Sequence, residues 1–282
     1  SHSAPPVLVI PRPLIDDVDL YAVDSAGVVS HDATGDNHPF SSRQVAYRGF
    51  AFLLDVKAGQ TVTYYLRARS DTGPISLPLE LVDSATFRAD SASENYGRGA
   101  FVGFMVGLAL CALTLFALVR NVAYAYYCQY LVAFVLLLCA ADGYAMQFLW
   151  PNAPLAQQIL PAALLALANV TGTLFARSFL NLPDVTPASE PWYALTSAAS
   201  AVGMALHVFH HGALGASVIM TSTAVLGVVA LWGCIQAWRD GDRIAGYLLF
   251  GWVAFLLGMS VTMLDMVGLI ATSNWTSNGV YL

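Results

Sequence analysis

The sequence predicts a two-part membrane protein: an extracytoplasmic antiparallel β-sandwich or jelly roll over residues 1–92, then an α-helical transmembrane bundle over 93–282. Three observations predict it. Hydrophobic residues make up 57% of the chain and charged ones 11%, with a mean hydropathy of +0.61, whereas a soluble domain is roughly 25% charged. The basic residues are concentrated: Arg12, Arg43, Arg48, Lys57, Arg67, Arg69, Arg88 and Arg98 lie in the first 98 residues, and only Arg120, Arg177, Arg239 and Arg243 follow. The apolar pattern also changes period, from alternation in the head to runs of bilayer length after Tyr96.

The strands of the head come from that alternation. "DDVDLYAV" sets Val18, Leu20 and Ala22 against Asp17, Asp19 and Tyr21. "TVTYYLRARS" sets Val62, Tyr64, Leu66 and Ala68 against Thr63, Tyr65, Arg67 and Arg69. A period of two marks a strand with one buried face. "DSAG", "ATGDNHP", "KAGQ" and "SDTGP" supply the turn residues between strands, and "PISLPLELVD" reads as a further strand. About 90 residues is small for such a sandwich, so early strands are expected upstream. The opening "SHSAPPVLVIPRP" lacks the basic start and apolar core of a signal peptide. All four cysteines (Cys111, Cys128, Cys139, Cys234) fall in apolar runs, so no disulfide framework supports the head.

Six spans follow, at roughly 97–119, 123–143, 155–179, 192–210, 213–237 and 244–269, and a seventh is expected from near 279. The four late arginines fall on alternate connections, and the intervening connections carry no Lys or Arg. That asymmetry makes the arginine side cytoplasmic and the head extracytoplasmic. The net charge of -6 and the absence of a Lys/Arg cluster exclude nucleic acid as a partner.

Several segments resemble bacterial seven-transmembrane receptors with diverse intracellular signalling modules. In the membrane these are "YGRGAFVGFMVGLAL", "VRNVAYAYYCQYLVAF", "DGYAMQFLWPNAP" and "FARSFLNLP". In the head, "IDDVDLYAVDSAG", "PFSSRQVAYRGFAF" and "TYYLRARSDTGPISLPLEL" resemble the later part of the family's extracellular β-domain. The resemblance implies sensing of a small extracytoplasmic ligand, carbohydrates included, and relay to a cytoplasmic diguanylate cyclase or histidine kinase. Neither output domain lies in this sequence, and no catalytic residue is assigned within it. The resemblance also adds Arg43 and Tyr47 as ligand-binding candidates.

The residues themselves offer further candidates. Tyr65, Arg67 and Arg69 share one strand face, where an aromatic ring beside guanidinium groups suits a sugar or its acidic substituents. Asp142 and Asp265, near the outer ends of spans 2 and 6, are ionisable groups at the membrane edge. With His207, His210 and His211 they are candidates for an outward-facing pocket or a coupling site. Three histidines at offsets of three and four would suit a metal geometrically, but no carboxylate or Cys accompanies them, and no metal or cofactor is expected. Gln147 and Trp150, in the charge-free connection "QFLWPNAP", are candidates for coupling head to bundle. Gly99, Gly103 and Gly107 recur every four residues on the first span, so an interface is expected there, either within the bundle or in a homodimer. Asn169 and Thr173 are expected to hydrogen-bond between helices.

The leading function is therefore a receptor in the bacterial inner membrane. A transporter or channel with an accessory domain is the alternative, against which the nearly uncharged midplane counts. An intramembrane enzyme lacks its motifs, and a retinal receptor lacks a lysine in the visible spans, Lys57 being the sole one.

Overall fold

The computed structural model describes residues 5–24, 27, 29–56, 60–70, 77–179, 187–209 and 212–266. Within the head they form six strands: β1 (Pro6–Ile10), β2 (Asp17–Val23), β3 (Val29–Thr34), β4 (Phe50–Leu53), β5 (Thr63–Arg69) and β6 (Glu80–Asp83). These make two antiparallel three-stranded sheets, ordered β4-β1-β6 and β3-β2-β5.

The sheets face each other through one apolar core. Ile10, Phe50 and Phe52 come from the first sheet, Val18 and Leu20 from the second, with Leu66 and Ala68 packed against them. On β5 the alternation holds as the sequence predicts, and Tyr65, Arg67 and Arg69 face outward. β1 behaves differently, because Val7, Val9 and Ile10 are all buried. Its second face packs Val7 and Val9 with Tyr47, Ala51 and Phe87. A strand covered on both faces reads as an unbroken apolar run, which period-two reasoning passes over. In the expected strand "PISLPLELVD", β6 begins at Glu80 and residues 77–79 are outside it, while residues 74–76 lie outside the described residues.

Among the described residues seven α-helices follow: α1 (Ser84–Val119), α2 (Val122–Ala141), α3 (Tyr144–Phe148), α4 (Pro154–Phe179), α5 (Glu190–Val208), α6 (Gly212–Arg239) and α7 (Arg243–Met266). Four of them, α1, α2, α4 and α6, are long and apolar enough to cross a membrane. α1 starts several turns before the expected span. Asp83 caps it, its Oδ1 accepting from the Ala85 and Thr86 amides at 2.9 Å and its Oδ2 from the Thr86 hydroxyl at 2.7 Å. Those bonds hold the Asp83 carboxyl below its ordinary range. Pro161 lies inside α4.

The chain divides into two compact units. The first comprises residues 1–99 and 135–164, and the second 100–134 and 165–282. In the second unit, Gly203 of α5 and Gly215 of α6 lie so close that a Cβ on Gly215 would sit 2.6 Å from the Gly203 carbonyl oxygen. Tyr193, Leu226, Val229, Cys234 and Ala245 form its apolar core. A buried polar cluster crosses three helices there. The Asn169 amide on α4 donates to Thr223 Oγ1 at 2.8 Å and Ser200 Oγ at 3.1 Å, and Ser200 and Ser222 hydroxyls meet at 2.7 Å. The expected interhelical role of Asn169 is what this geometry shows; Thr173 is buried with its hydroxyl unpaired among the described residues.

Candidate functional site

The outer end of the first unit brings the β-domain, the base of α1 and the α2–α3 corner together. Each side of the junction is set by local structure. Between β3 and β4, a short 3-10 turn at Phe40–Ser42 leads into the segment Arg43–Gly49. Arg43 is buried and its Nη1 donates to the carbonyls of Tyr47 (2.9 Å), Arg48 (2.5 Å) and Gly49 (2.8 Å). Its guanidinium also lies over the Phe40 and Phe50 rings, 4.9 and 4.6 Å from their centroids, and Nη2 reaches Met146 Sδ at 3.5 Å. Burial pulls its pKa down to about 10. One side chain thus fixes three successive carbonyls and presents Arg48 to α1.

Arg48 continues the connection. Its Nε and Nη2 both donate to Glu94 Oε2, at 3.1 and 2.9 Å, and Nη1 donates to the Pro11 carbonyl at 3.0 Å. Glu94 also pairs with Arg98 one turn along α1 (3.2 Å), and Arg98 pairs with Asp142 after α2 (3.3 Å). Four alternating charges, Arg48–Glu94–Arg98–Asp142, run from the β-domain across α1 to the corner. Arg48 and Arg98 are 6% and 10% exposed and the two acids 28% and 21%, so the cations are the desolvated members. Each is compensated by its neighbours, as a partly buried charge requires. Tyr47 adds a 3.4 Å contact from its hydroxyl to Glu94, and burial pushes its phenol up to about 12.

The corner itself needs Gly143. Its φ is +84°, the left-handed region open to glycine, and an added Cβ would lie 2.7 Å from Pro13 Cβ and closer still to the Arg48 carbonyl oxygen. Beyond it, Tyr144 donates to Asn95 at 2.6 Å. The Phe40 amide donates to the Pro151 carbonyl at 2.8 Å, and Gln158 bonds Asn37. Trp150 Nε1 donates to Gln157 Oε1 (3.0 Å), and Gln157 Nε2 to the Ala140 carbonyl (3.0 Å). The connection "QFLWPNAP" is therefore bound to the head on one side and to the end of α2 on the other.

Beside the charge chain lies a cavity of about 420 Å³, between the β3–β4 segment, the first turns of α1 and Gln147.

The predicted residues distribute as follows. Asp142, Gln147, Trp150, Arg43 and Tyr47 all come to this junction. Arg43 and Tyr47 are buried there, supporting it from within. Tyr65, Arg67 and Arg69 stand on the outer face of the second sheet, where Arg67 and His31 share Asp19, at 3.2 and 2.9 Å. His207 Nδ1 pairs with the Gly212 carbonyl oxygen at 3.0 Å and closes the α5–α6 turn. His210 and His211 lie outside the described residues, as does the Asp265 side chain. Among the described residues no group of three His, Cys, Asp or Glu side chains is placed to hold a metal. Gly99, Gly103 and Gly107 are exposed, and nothing among the described residues comes within 4 Å of a Cβ built on any of them. Among the described residues a close helix contact lies at Gly203 and Gly215. Sequence reasoning missed Arg48, Glu94 and Arg98; the one available signal was Glu94 and Arg98 four apart on a helix.

A β-domain carried on a helix of membrane-crossing length, and pinned by charges to the next helical corner, defines a membrane protein with a folded domain ahead of its helices. The family model described as 7TM diverse intracellular signalling matches residues 94–282, and that described as 7TMR-DISM extracellular 2 matches residues 1–83. The chain belongs to the 7TMR-DISM family. No curated protein and no solved structure matches it.

Proposed function

We propose that this chain is the sensing and relay portion of a bacterial inner-membrane receptor. Its β-domain takes a small extracytoplasmic ligand of the carbohydrate class, and the helices pass the change to a cytoplasmic diguanylate cyclase or histidine kinase. The observation that carries this reading is the chain Arg48–Glu94–Arg98–Asp142. It gives a movement of the β3–β4 segment two outlets, α1 and the corner between α2 and α3. A relay requires two arrangements whose balance the ligand shifts, and an exchangeable set of ion pairs at the membrane edge supplies one.

The test is a fusion of the full chain to a diguanylate cyclase, with cyclic dinucleotide output measured in cells. Asp142→Asn and Glu94→Gln are expected to change basal output several-fold when output is normalised to the amount of protein in the membrane. Output identical to wild type in both variants would overturn the relay.

A further inference from the structure

The cavity beside the charge chain has a composition that names a ligand class. No Asp or Glu lines it. Its two cations differ sharply: Arg48 is committed to Glu94 and the Pro11 carbonyl, whereas Arg88 is exposed and has no ion-pair partner among the described residues. Behind Arg48, the acids Glu94 and Asp142 balance Arg48 and Arg98, and Glu80 is felt at Tyr47 from β6, so among the residues lining this space the cation without an ion-pair partner is Arg88. Tyr47 and Phe87 form one wall, ring centroids 5.2 Å apart and edge to face. Ser84, Ser91 and Gln147 supply hydroxyl and amide groups on other sides. Its volume, about 420 Å³, lies at the lower end of the roughly 300–1,000 Å³ of small-ligand sites.

We propose that this cavity binds a small hydroxylated carboxylate, a sugar acid in size and chemistry, with the carboxylate on Arg88. A planar guanidinium pairs with a carboxylate through two parallel hydrogen bonds. The carbon skeleton lies along the Tyr47–Phe87 wall, and the ligand hydroxyls meet Ser91 and Gln147. The proposal rests on the receptor reading and gives it a place of entry. Arg88 is on the base of α1, about 1.7 turns before Glu94, so occupancy bears directly on the helix that carries the charge chain.

The test is calorimetric titration of the full chain in lipid nanodiscs with D-glucuronate, D-galacturonate and D-gluconate, with D-glucose as the uncharged control. The acids are expected to bind and glucose to bind at least tenfold more weakly. Arg88→Gln should weaken the acids at least tenfold and Arg88→Lys less. Ser91→Trp, which fills the cavity, should abolish binding without lowering the melting temperature. Equal binding of glucose, acid binding indifferent to both Arg88→Gln and Ser91→Trp, or no binding of any of the three acids would overturn the proposal. Binding is read here without any output domain. Its loss therefore leaves the relay reading standing, and intact binding with an unresponsive cyclase fusion does the reverse.

Discussion

Asp36 holds a proton that most aspartates release. It is buried near Asp16, and its amide donates to the Ile15 carbonyl at 2.9 Å. Burial, then the charge of Asp16 and a hydrogen bond to it, raises its pKa from 3.8 to about 7, although Arg43 pulls the other way. The folded state therefore binds this proton more tightly than the unfolded chain. The stability it contributes is full below about pH 4 and is lost as pH rises toward 7. Thermal melts of the full chain should show that slope, of order 2–4 kcal/mol, and Asp36→Asn should flatten it. A slope unchanged by the substitution would place the proton elsewhere. At Glu94 the expectation is different in kind. Glu94→Gln leaves buried Arg48 without its counter-charge and should cost about 2–4 kcal/mol in a denaturation series, below the fully buried range because Glu94 is part exposed.

Among the elements, the corner between α2 and α3 and the three-helix polar cluster invite opposite expectations. Gly143→Ala adds a methyl against the Arg48 carbonyl and Pro13, at a φ that alanine resists. It should loosen the head from the corner, seen as faster hydrogen exchange at the Arg48 and Gly49 amides with bundle amides unchanged. Asn169→Leu removes donors shared by Ser200 and Thr223, yet those hydroxyls already bond the Thr196 and Ile219 carbonyls in their own helices. The cost should therefore stay near 1–2 kcal/mol in a detergent-unfolding measurement. The same elements show what sequence could tell. β5 was legible because one face is wet and the other dry. β1 was not, since α1 and the second sheet cover both its faces. The helical start at Ser84 was equally hidden, because Ser84–Tyr96 is polar and lies outside any apolar window. The glycine row is legible only as spacing, because small residues recur in the same way whether a helix face meets a neighbour in its own bundle or a second copy of the chain. Tyr65, Arg67 and Arg69 were placed correctly on one outward face by alternation alone. The junction was only half legible, for Asp142 and Trp150 stand out against apolar surroundings, whereas Arg48 and Glu94 do not stand out among the charges of a polar head.

For the whole molecule, the membrane character and the extracytoplasmic head follow from composition and arginine placement, and the family match agrees with both. α1 is a single hydrogen-bonded helix of 36 residues, spanning about 54 Å at 1.5 Å per residue. A bilayer core occupies roughly 30 Å of such a length. The remainder makes α1 a crankshaft: each residue fixes an angular phase of about 100° relative to the next. On the proposed relay, a turn at Ser84 is expected to pass along α1 as a change of phase. Inserting two alanines after Ala100 should reverse the phase and disrupt the output of the cyclase fusion. Inserting seven, about two full turns, should largely restore it. Equal output from both insertions would mean that α1 works as a tether, with no angular information passing along it.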